Sequence, residues 1–341
     1  SVSPTYTWEN IQADGVITAV FDPMTWHVDA SRPDDGGDGR TWGSAKKSIQ
    51  AAIDAAEADD IILVTDGIYA PIRTVGKAVV IRSVNGAQKT IIDGNGVARC
   101  ATLGDYGSGR KTVLEGFTLQ NGYASEGGGA CGGTLRHCTL ANNGSPALIW
   151  YDHDFDFYCH QGGGAYDCAL SYCLVQNNSA RNGGGVCECV LDNCVLANNS
   201  AGTDEDESYG GGAYDSILTN CTLTGNQADY GGGACDSTLT NCTLSENQAG
   251  YGGGIADSEA SNCIIWGNSA WVGTNYNESS LEHSCTYPLP SEGEGNIILA
   301  PGFVDAVNGD FRLRTGSPCI DAGDNSVVKA ETDLAGNPRI G

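Results

Sequence analysis

The chain has 341 residues, with 42 Asp or Glu against 17 Lys or Arg, so its net charge is −25 at pH 7. This negative charge disfavours binding to nucleic acids and to anionic membranes. No apolar run approaches the length of a membrane span, which predicts that the chain does not insert into membranes. The chain is long enough to bury a large core.

Residues 1–21 alternate polar and apolar side chains like two short strands around a turn at 10–15. In this they resemble the tail of the small Ig-like or B-repeat-type modules of bacterial surface proteins. The resemblance implies that the sequence is a piece of a longer secreted protein. The alternative is that this segment adds strands to the domain that follows.

Residues 22–70 are predicted to form an N-terminal lead-in with one helix, over 44–56. Ser44 is placed to cap its first turn, because the hydroxyl can accept a backbone N–H. Strands are expected to resume at 61–64 and 67–69. The apolar side of the helix is narrow and consists of Ile49, Ala52, Ile53 and Ala56. The loop before it is either a solvated turn or a calcium site and contains Asp34, Asp35 and Asp38.

From residue 127 to residue 270 the sequence repeats. Six Gly triplets begin 35, 21, 27, 21 and 21 residues apart, so the period is 21 and two units carry insertions. A fixed period of this length indicates a solenoid. A cysteine stands eleven residues after the first glycine of every unit, at Cys138, Cys173, Cys194, Cys221, Cys242 and Cys263. An asparagine follows five residues later, at Asn143, Asn178, Asn199, Asn226, Asn247 and Asn268.

The pattern inside a unit is typical of short strands separated by Gly and Asn turns, and nothing in it has the period or length of a helix. Coils stacked about 4.8 Å apart would bring equivalent residues into rows. Leu, Val and Cys are predicted to fill the interior, and the Asn register to hydrogen-bond backbone groups inside a turn. The Gly triplet would form a tight corner with positive φ and close packing between coils. The sequence therefore predicts an all-β parallel β-helix over 71–300, with the helix covering its open end.

The motif Gly-Gly-Gly-Ala followed by Cys-Thr-Leu-x-x-Asn, seen at 210–226 and 231–247, resembles the GGA and FxxN repeats of bacterial polymorphic outer-membrane-protein passengers. Cysteine stands where that family has phenylalanine. More broadly the chain looks like the pectin-lyase-like superfamily, which implies a right-handed parallel β-helix. Function does not follow from this resemblance, because the fold carries lyases, hydrolases, epimerases, adhesins and inert stalks.

The C-terminal residues 301–341 are predicted to close the solenoid. The stretches DFRLRTGSPCIDAGDN at 310–325 and TDLAGNPRI at 332–340 resemble the closing segment of secreted bacterial β-helix proteins of the choice-of-anchor type. This resemblance implies a secreted protein or one at the bacterial cell surface. Between it and the repeat, residues 271–290 are expected to be irregular.

The chain contains 15 cysteines. The first interpretation of the Cys register is an interior row of small hydrophobic residues. The alternative is that neighbouring coils, whose Cα atoms lie within disulfide range, form bridges such as Cys168–Cys189 in an oxidising compartment. The spacings do not fit a zinc site with two CxxC pairs.

Two insertions fall in the same turn of the repeat, at 144–161 and 201–209, and the uninserted turn between them holds Arg181. The loops are expected to emerge on one edge, about 10 Å or two coil spacings apart. Long loops on a rigid scaffold often carry function, and aromatic rings beside carboxylates suit sugar binding. The candidate catalytic residues are Asp152, His153, Asp154, His160 and Arg181. The candidate ligand-binding residues are Trp150, Tyr151, Asp156, Tyr158, Asp204, Glu205, Asp206 and Glu207.

Two further rows follow from the repeat. Tyr209, Tyr230 and Tyr251 each precede a Gly triplet and form either an edge stack over the corner or a platform for a sugar. A row of acids stands five residues after the first glycine, where like charges about 4.8 Å apart repel one another. Water, raised pKa values or bound cations such as calcium would have to offset this repulsion. The acids, which are the candidate metal ligands, are Asp167, Glu188, Asp215, Asp236 and Asp257.

Two classes of function fit this pattern. The first is an extracellular or cell-surface β-solenoid that serves as a stalk, a fibre segment or a glycan-binding adhesin, with a polysaccharide or further copies of itself as partner. The alternative is a carbohydrate-active enzyme, a lyase or a hydrolase, with its site at the inserted loops. The scarcity of basic residues disfavours a lyase, since only Arg136 and Arg181 occur between 115 and 300. Calcium is the one cofactor that the pattern suggests.

Overall fold

The computed structural model describes residues 23–74, 76–104, 111–145, 161–202 and 207–328. Their strands form three long parallel sheets, of eleven, nine and ten strands, with coil after coil in register. In the eleven-stranded sheet, for example, Leu191, Leu218 and Leu239 pair in succession and point into the core. The predicted right-handed parallel β-helix is confirmed. No helix within the described ranges is long and apolar enough to cross a membrane.

The strands of each sheet follow one another along the solenoid axis. The eleven-stranded sheet contains Thr25–Val28, Ile61–Val64, Val80–Ser83, Val113–Glu115, Thr134–Arg136, Ala169–Ser171, Val190–Asp192, Ile217–Thr219, Thr238–Thr240, Glu259–Ser261 and Ser280–Glu282. The nine-stranded sheet contains Ile72–Arg73, Ala101–Thr102, Ala130–Cys131, Ala165–Tyr166, Val186–Cys187, Ala213–Tyr214, Ala234–Cys235, Ile255–Ala256 and Tyr276–Asn277. The ten-stranded sheet contains Gly67–Tyr69, Thr90–Asp93, Thr118–Gln120, Thr139–Ala141, Leu174–Gln176, Val195–Ala197, Thr222–Thr224, Thr243–Ser245, Ile264–Ile265 and Cys285–Thr286.

Three short pairs of strands complete the β-structure. Ser179–Ala180 pairs with Ser200–Ala201, and Gln248–Tyr251 pairs with Ser269–Val272, both in parallel. The third pair is antiparallel and joins Phe303–Asp305 to Asp310–Leu313. Short 3₁₀ helices occur at Trp42–Ser44, Ala306–Asn308 and Asn325–Val327.

The α-helix is shorter than predicted and spans Ile49–Ala55. Its N-cap is Ser48, whose hydroxyl accepts a hydrogen bond from the Ala51 amide, and the predicted cap Ser44 instead ends a 3₁₀ turn. The helix start was predicted too early because both serines precede the apolar residues of the helix. Only Ser48 directly precedes Ile49, the first of these residues. The apolar side of the helix is buried against the first coils, so that the helix covers the open end of the solenoid.

The predicted hydrogen bonding of the Asn register is present in every described unit. Asn226 donates from Nδ2 to the Leu196 carbonyl (3.0 Å) and to Oδ1 of Asn247 (2.9 Å), and its own Oδ1 accepts from the Asn199 amide (2.9 Å). These asparagines are at most 4% exposed. The row thus provides hydrogen bonds to buried backbone groups at this corner, which the strands leave unpaired.

The Cys register is also an interior row, and its members are at most 3% exposed. The sulfur of Cys263 accepts the amide of Cys242 (3.4 Å), and in the next coil Ser284 accepts the amide of Cys263 (3.0 Å). Serine can therefore replace cysteine at this corner, which indicates that the sulfur serves as an acceptor as well as an apolar atom. The cysteines of this register are free thiols, and so are Cys168 and Cys189, which the alternative interpretation had paired.

The Gly triplets have the two predicted properties. The first glycine of each triplet has φ between 58° and 63°, as for Gly210 at 63°. A Cβ on the second, Gly211, would lie 2.4 Å from the carbonyl oxygen of Gln227 and 2.5 Å from that of Gly232. These positions exclude any side chain, because neighbouring coils approach through their backbones.

The expectation of an irregular stretch after residue 270 is wrong. A further coil is present, in which Gly273 takes the first-glycine position (φ 64°) and Ser284 takes the Cys register. The coil was missed because only one glycine of its triplet remains. Beyond it, the C-terminal segment returns to the solenoid, where the Asp324 backbone forms two hydrogen bonds with the Asn262 side chain (2.9 and 2.8 Å).

Candidate functional site

The tyrosines that precede the Gly triplets form a stack along one edge of the solenoid. The rings of Tyr209 and Tyr230 are 5.1 Å apart at 19°, and those of Tyr230 and Tyr251 are 4.9 Å apart at 8°. Successive tyrosines also form backbone bridges, so that the repeat itself sets the ring spacing. The ring faces of Tyr230 are covered by its neighbours. The row is therefore an edge stack, and Tyr251, at 39% exposure, is its most open member.

Glu207, at the end of the second insertion, binds two hydroxyls of this stack. Its carboxylate accepts from Tyr209 (2.7 Å) and from Tyr230 (3.3 Å). The hydrogen bond from Tyr209 to Glu207 raises the pKa of Tyr209 to about 12, and burial is the second cause. The predicted ligand-binding residue Glu207 thus lies at the tyrosine row and provides an exposed carboxylate beside aromatic rings.

A second row runs beside the tyrosines and ends in an exposed indole. Asp229, Gly250 and Trp271 are equivalent in successive coils, as the pairing of Gln248–Tyr251 with Ser269–Val272 shows. Trp271 is 92% exposed and lies against Gly250, which has no side chain to cover it. The Asp229 carboxylate is held by the hydroxyl of the buried Ser208 (2.8 Å). We call Tyr209, Tyr230, Tyr251 and Trp271 the aromatic edge.

Sequence reasoning did not select Trp271 or Asp229. Both follow from the repeat, since each stands one residue before the tyrosine register. Trp271 was overlooked because it lies in the stretch where the period fades.

The inserted loops themselves fall outside the described residues, but their ends are placed. Gly144 bridges Ser179, which pairs with Ser200, and Gln161 bridges Asn182, which bridges Tyr209. The two insertions therefore leave and rejoin the solenoid on one edge, two coils apart, and that edge leads into the aromatic edge. The predicted residues outside the described ranges are Trp150, Tyr151, Asp152, His153, Asp154, Asp156, Tyr158, His160, Asp204, Glu205 and Asp206.

The uninserted turn between the loops carries Arg181, as predicted, and it is half-buried. Its neighbour Asn182 is 8% exposed, and the Oδ1 atom of Asn182 has no hydrogen-bond partner among the described residues.

The acid row occupies a one-residue corner at which every member has a left-handed backbone, with φ between 46° and 52°. Asp tolerates this conformation better than most residues. Asp236 shows the expected repulsion, since burial, followed by the charges of Asp257 and Asp215, raises the pKa of its carboxyl, while a hydrogen bond from Tyr214 lowers it.

The described residues contain no group of three or more His, Cys, Asp or Glu side chains arranged to hold a metal ion. Calcium at the acid row, with Asp167, Glu188, Asp215, Asp236 and Asp257 as ligands, stays a prediction.

The sequence analysis also missed a row on the outer face of the nine-stranded sheet. It alternates tyrosine and cysteine from coil to coil, four residues after the first glycine, a signal visible in the repeat. Tyr166 donates to Oε1 of Glu188 (3.0 Å), and burial and this hydrogen bond raise the pKa of Tyr166. The row connects to the aromatic edge, because the rings of Tyr209 and Tyr214 are 6.0 Å apart. Its members are Cys131, Tyr166, Cys187, Tyr214 and Cys235.

Comparison with known proteins supports the fold and gives no family. No protein-family model and no curated protein matches the chain. Among solved structures, the pectate lyase Pel9A is similar at 14% identity and a TM-score of 0.50, over 92% of this chain and 96% of that one. Pectin methylesterase from carrot gives 11% identity and a TM-score of 0.40, over 87% and 99%. The tailspike gp49 of Acinetobacter baumannii bacteriophage Fri1, a capsular polysaccharide depolymerase, gives 8% and 0.34, over 69% and 52%. The likeness to Pel9A shows that this chain has a parallel β-helix fold.

Proposed function

We propose that this protein is a secreted or cell-surface β-solenoid that binds polysaccharide along the aromatic edge. The observation that carries the proposal is Trp271, which presents an indole at 92% exposure in the row of Asp229, on the strand that pairs with the strand of Tyr251. Exposed aromatic rings are costly in water unless a partner covers them, and the apolar face of a sugar ring is such a partner.

The polar groups of the edge suit the hydroxyls of a sugar. Glu207 and Asp229 are exposed and offer carboxylate acceptors. Both belong to the edge that the tyrosines follow from coil to coil, so that a chain of sugars can follow the edge over several coils. The inserted loops, with Trp150, Tyr151 and their acids, would extend this surface beyond Tyr209. The resemblance of the C-terminal segment to anchor-type proteins supports the extracellular location.

Affinity electrophoresis through gels that contain neutral or acidic polysaccharides tests the proposal. We expect the wild type to be retarded by at least one of them. Trp271→Ala and Tyr251→Ala should each weaken binding about tenfold or more, since loss of a central aromatic contact typically has an effect of this size.

Tyr172→Ala is the matched control, because Tyr172 is an exposed corner tyrosine that stacks on His137 at a different corner of the coil. Equal weakening by Tyr172→Ala, or no retardation by any polysaccharide, would contradict the proposal.

The same mixtures distinguish a binding protein from an enzyme. Chain length is measured before and after incubation, with calcium and with a chelator. We expect no shortening. Shortened chains would establish the alternative, a lyase or hydrolase, and would make Arg181, His153 and His160 the first residues to replace.

A further inference from the structure

Cys285 and Cys319 form a pair that lies outside the Cys register of the repeat. Cys285 belongs to the last coil, in the strand Cys285–Thr286, whereas Cys319 belongs to the C-terminal segment that returns to the solenoid. The two thiols are hydrogen-bonded to each other, and both are free. The return of the C-terminal segment thus brings together two cysteines that are far apart in the chain.

Cys285 lies on the outer side of the ten-stranded sheet, unlike the cysteines of the register. It pairs with Ile264, which is half-buried, whereas the next residue, Ile265, points into the core. Cys285 itself is 3% exposed, because the chain that follows the last coil covers it. Over its last seven described strands this outer row has cysteine only at the covered coil, and its members are Thr139, Leu174, Val195, Thr222, Thr243, Ile264 and Cys285.

Both cysteines are held in place by the stretch 299–301. The Sγ atom of Cys285 donates to the Leu299 carbonyl (3.2 Å). The Cys319 amide donates to the hydroxyl of Ser317 (3.1 Å), and that hydroxyl donates to the Pro301 carbonyl (2.5 Å). Because the two thiols already lie within hydrogen-bonding distance, a disulfide of about 2.05 Å requires only a short approach of the sulfur atoms.

The two thiols differ in reactivity. The hydrogen bond from Cys285 lowers the pKa of Cys319 against the effect of burial, and the same contact, followed by burial, raises the pKa of Cys285. Cys319 is also the more open of the two, since it is half-buried. The thiolate is the nucleophile in thiol–disulfide exchange, so Cys319 is the group that attacks first.

We propose that Cys285 and Cys319 are a redox-active pair that forms a disulfide, with a small-molecule disulfide as the oxidant. The Cys319 thiolate attacks one sulfur of the oxidant and expels a thiolate, which leaves a mixed disulfide on Cys319. The Cys285 sulfur then attacks the Cys319 sulfur and expels the second thiolate. Each departing thiolate takes up the proton of the cysteine that replaces it, so two protein thiols are oxidised and one disulfide is reduced to two thiols.

The bond fastens the C-terminal segment to the last coil. An end coil has bare core and unpaired strand edges, so a segment that covers it must stay in place. The hydrogen bonds between Asn262 and Asp324 hold this segment without a covalent link. The disulfide adds that link in an oxidising compartment, and it is independent of polysaccharide binding at the aromatic edge.

Peptide mapping of the whole chain tests the pair. The fully reduced protein is incubated with an excess of oxidised glutathione, and the remaining thiols are blocked with N-ethylmaleimide in denaturant. A glutamate-specific protease then releases Cys285 in the peptide 283–292 and Cys319 in the peptide 295–331, neither of which contains another cysteine. We expect these two peptides to be joined and to separate after reduction. If they stay separate, or if either is joined to a peptide of the Cys register, the proposal is overturned.

Two variants test the order of attack. Cys285→Ser should trap the mixed disulfide, so that the peptide 295–331 carries one glutathione. Cys319→Ser should leave the peptide 283–292 without glutathione, because the Cys285 thiol is buried. The matched control is Cys263→Ser, which removes the register cysteine one coil earlier and should link the two peptides as the wild type does. Glutathione on 283–292 in Cys319→Ser, with none on 295–331 in Cys285→Ser, would contradict the order.

Thermal unfolding shows whether the bond fastens the segment. Oxidation should raise the Tm of the wild type by several degrees, because a disulfide restricts the unfolded chain. It should leave the Tm of Cys319→Ser unchanged. An equal rise in Cys319→Ser would assign the effect to other cysteines and overturn the proposal.

Discussion

The coils carry two rows of asparagine, six residues apart, that differ in what their side chains do. Asn226 belongs to the inner row, whose amides pair with the backbone and with one another. Asn220 belongs to the corner row, where the backbone is left-handed (φ 54°) and Oδ1 has no partner among the described residues. The residue type and the period are the same. The difference teaches that the position of a row in the coil decides how fully its side-chain amides are paired, and therefore how much the row stabilises the solenoid.

Other rows of the coil divide in the same way. The sulfur of Cys263 points inward and is hydrogen-bonded. Asp236 stands at a left-handed corner, is exposed, and is repelled by the acids above and below it. Substitutions in the inner rows should therefore destabilise the folded protein, whereas substitutions in the corner rows should change its stability little or increase it.

The largest effect is expected for Asn226→Ala in the inner row. The change removes two donated and two accepted hydrogen bonds and leaves the Asn199 backbone N–H buried without its acceptor. At about 1 kcal/mol for each hydrogen bond, and more for the unpaired N–H, the loss should reach about 3 kcal/mol or more, and the Tm should fall by many degrees.

The matched variant in the corner row is Asn220→Gly. It should cost less than about 1 kcal/mol, because glycine accepts a positive φ and no hydrogen bond of Oδ1 is lost. Thermal unfolding followed by circular dichroism measures both. Similar shifts in the two variants would remove the distinction between the rows.

A smaller effect tests whether cysteine in the inner row acts as an acceptor. If the Cys263 sulfur matters only as an apolar atom, Cys263→Ala should be better tolerated than Cys263→Ser. Because it accepts the Cys242 amide, and because Ser284 has the same role one coil on, we expect the serine variant to be the more stable by about 1 kcal/mol. Chemical denaturation under reducing conditions decides the order, and the reverse order would show that burial of sulfur outweighs its hydrogen bond.

The fold was predictable because the repeat encodes it twice, in the spacing of the glycines and in the alternation within each strand. Strands at Ile61–Val64 and Gly67–Tyr69 have the predicted bounds. Only the helix start and the last coil were wrong, where a local signal was ambiguous or weak.

The candidate sites were less predictable, for two physical reasons. The exposure of Trp271 depends on Gly250 in the coil before it, a relation that appears only once the coils are stacked. The position of the C-terminal segment depends on a contact between Asn262 and Asp324, which are 62 residues apart and share no periodic pattern. Local sequence defines a coil, but it does not say where a non-repeating segment returns to it.

The smallest effect is a gain of stability, expected for Asp236→Asn in the acid row. Asp236 has a raised pKa in the folded chain, chiefly from burial and then from the charge of Asp257, so its ionised form is disfavoured by folding. Its charge therefore lowers stability above the pKa and ceases to do so as the pH falls and the carboxyl is protonated. Asparagine keeps the shape and tolerates the left-handed corner (φ 49°), so the variant should be more stable at pH 7 by about 0.5 kcal/mol.

The gain of Asp236→Asn should shrink as the pH falls through the raised pKa of Asp236 and the wild-type carboxyl becomes neutral. Asp60→Asn provides the contrast, because Asp60 accepts hydrogen bonds from the Trp26 indole and from the Glu57 and Met24 amides, which hold the pKa of its carboxyl below the usual value against the effect of burial. That variant should lose stability at pH 7, and the loss should diminish as the pH falls through the pKa of Asp60. Denaturation at pH 7 and pH 4 measures both. A loss of stability for Asp236→Asn at pH 7 would mean that the corner acids stabilise the coil, for instance through a bound cation, and a chelator would then abolish that loss.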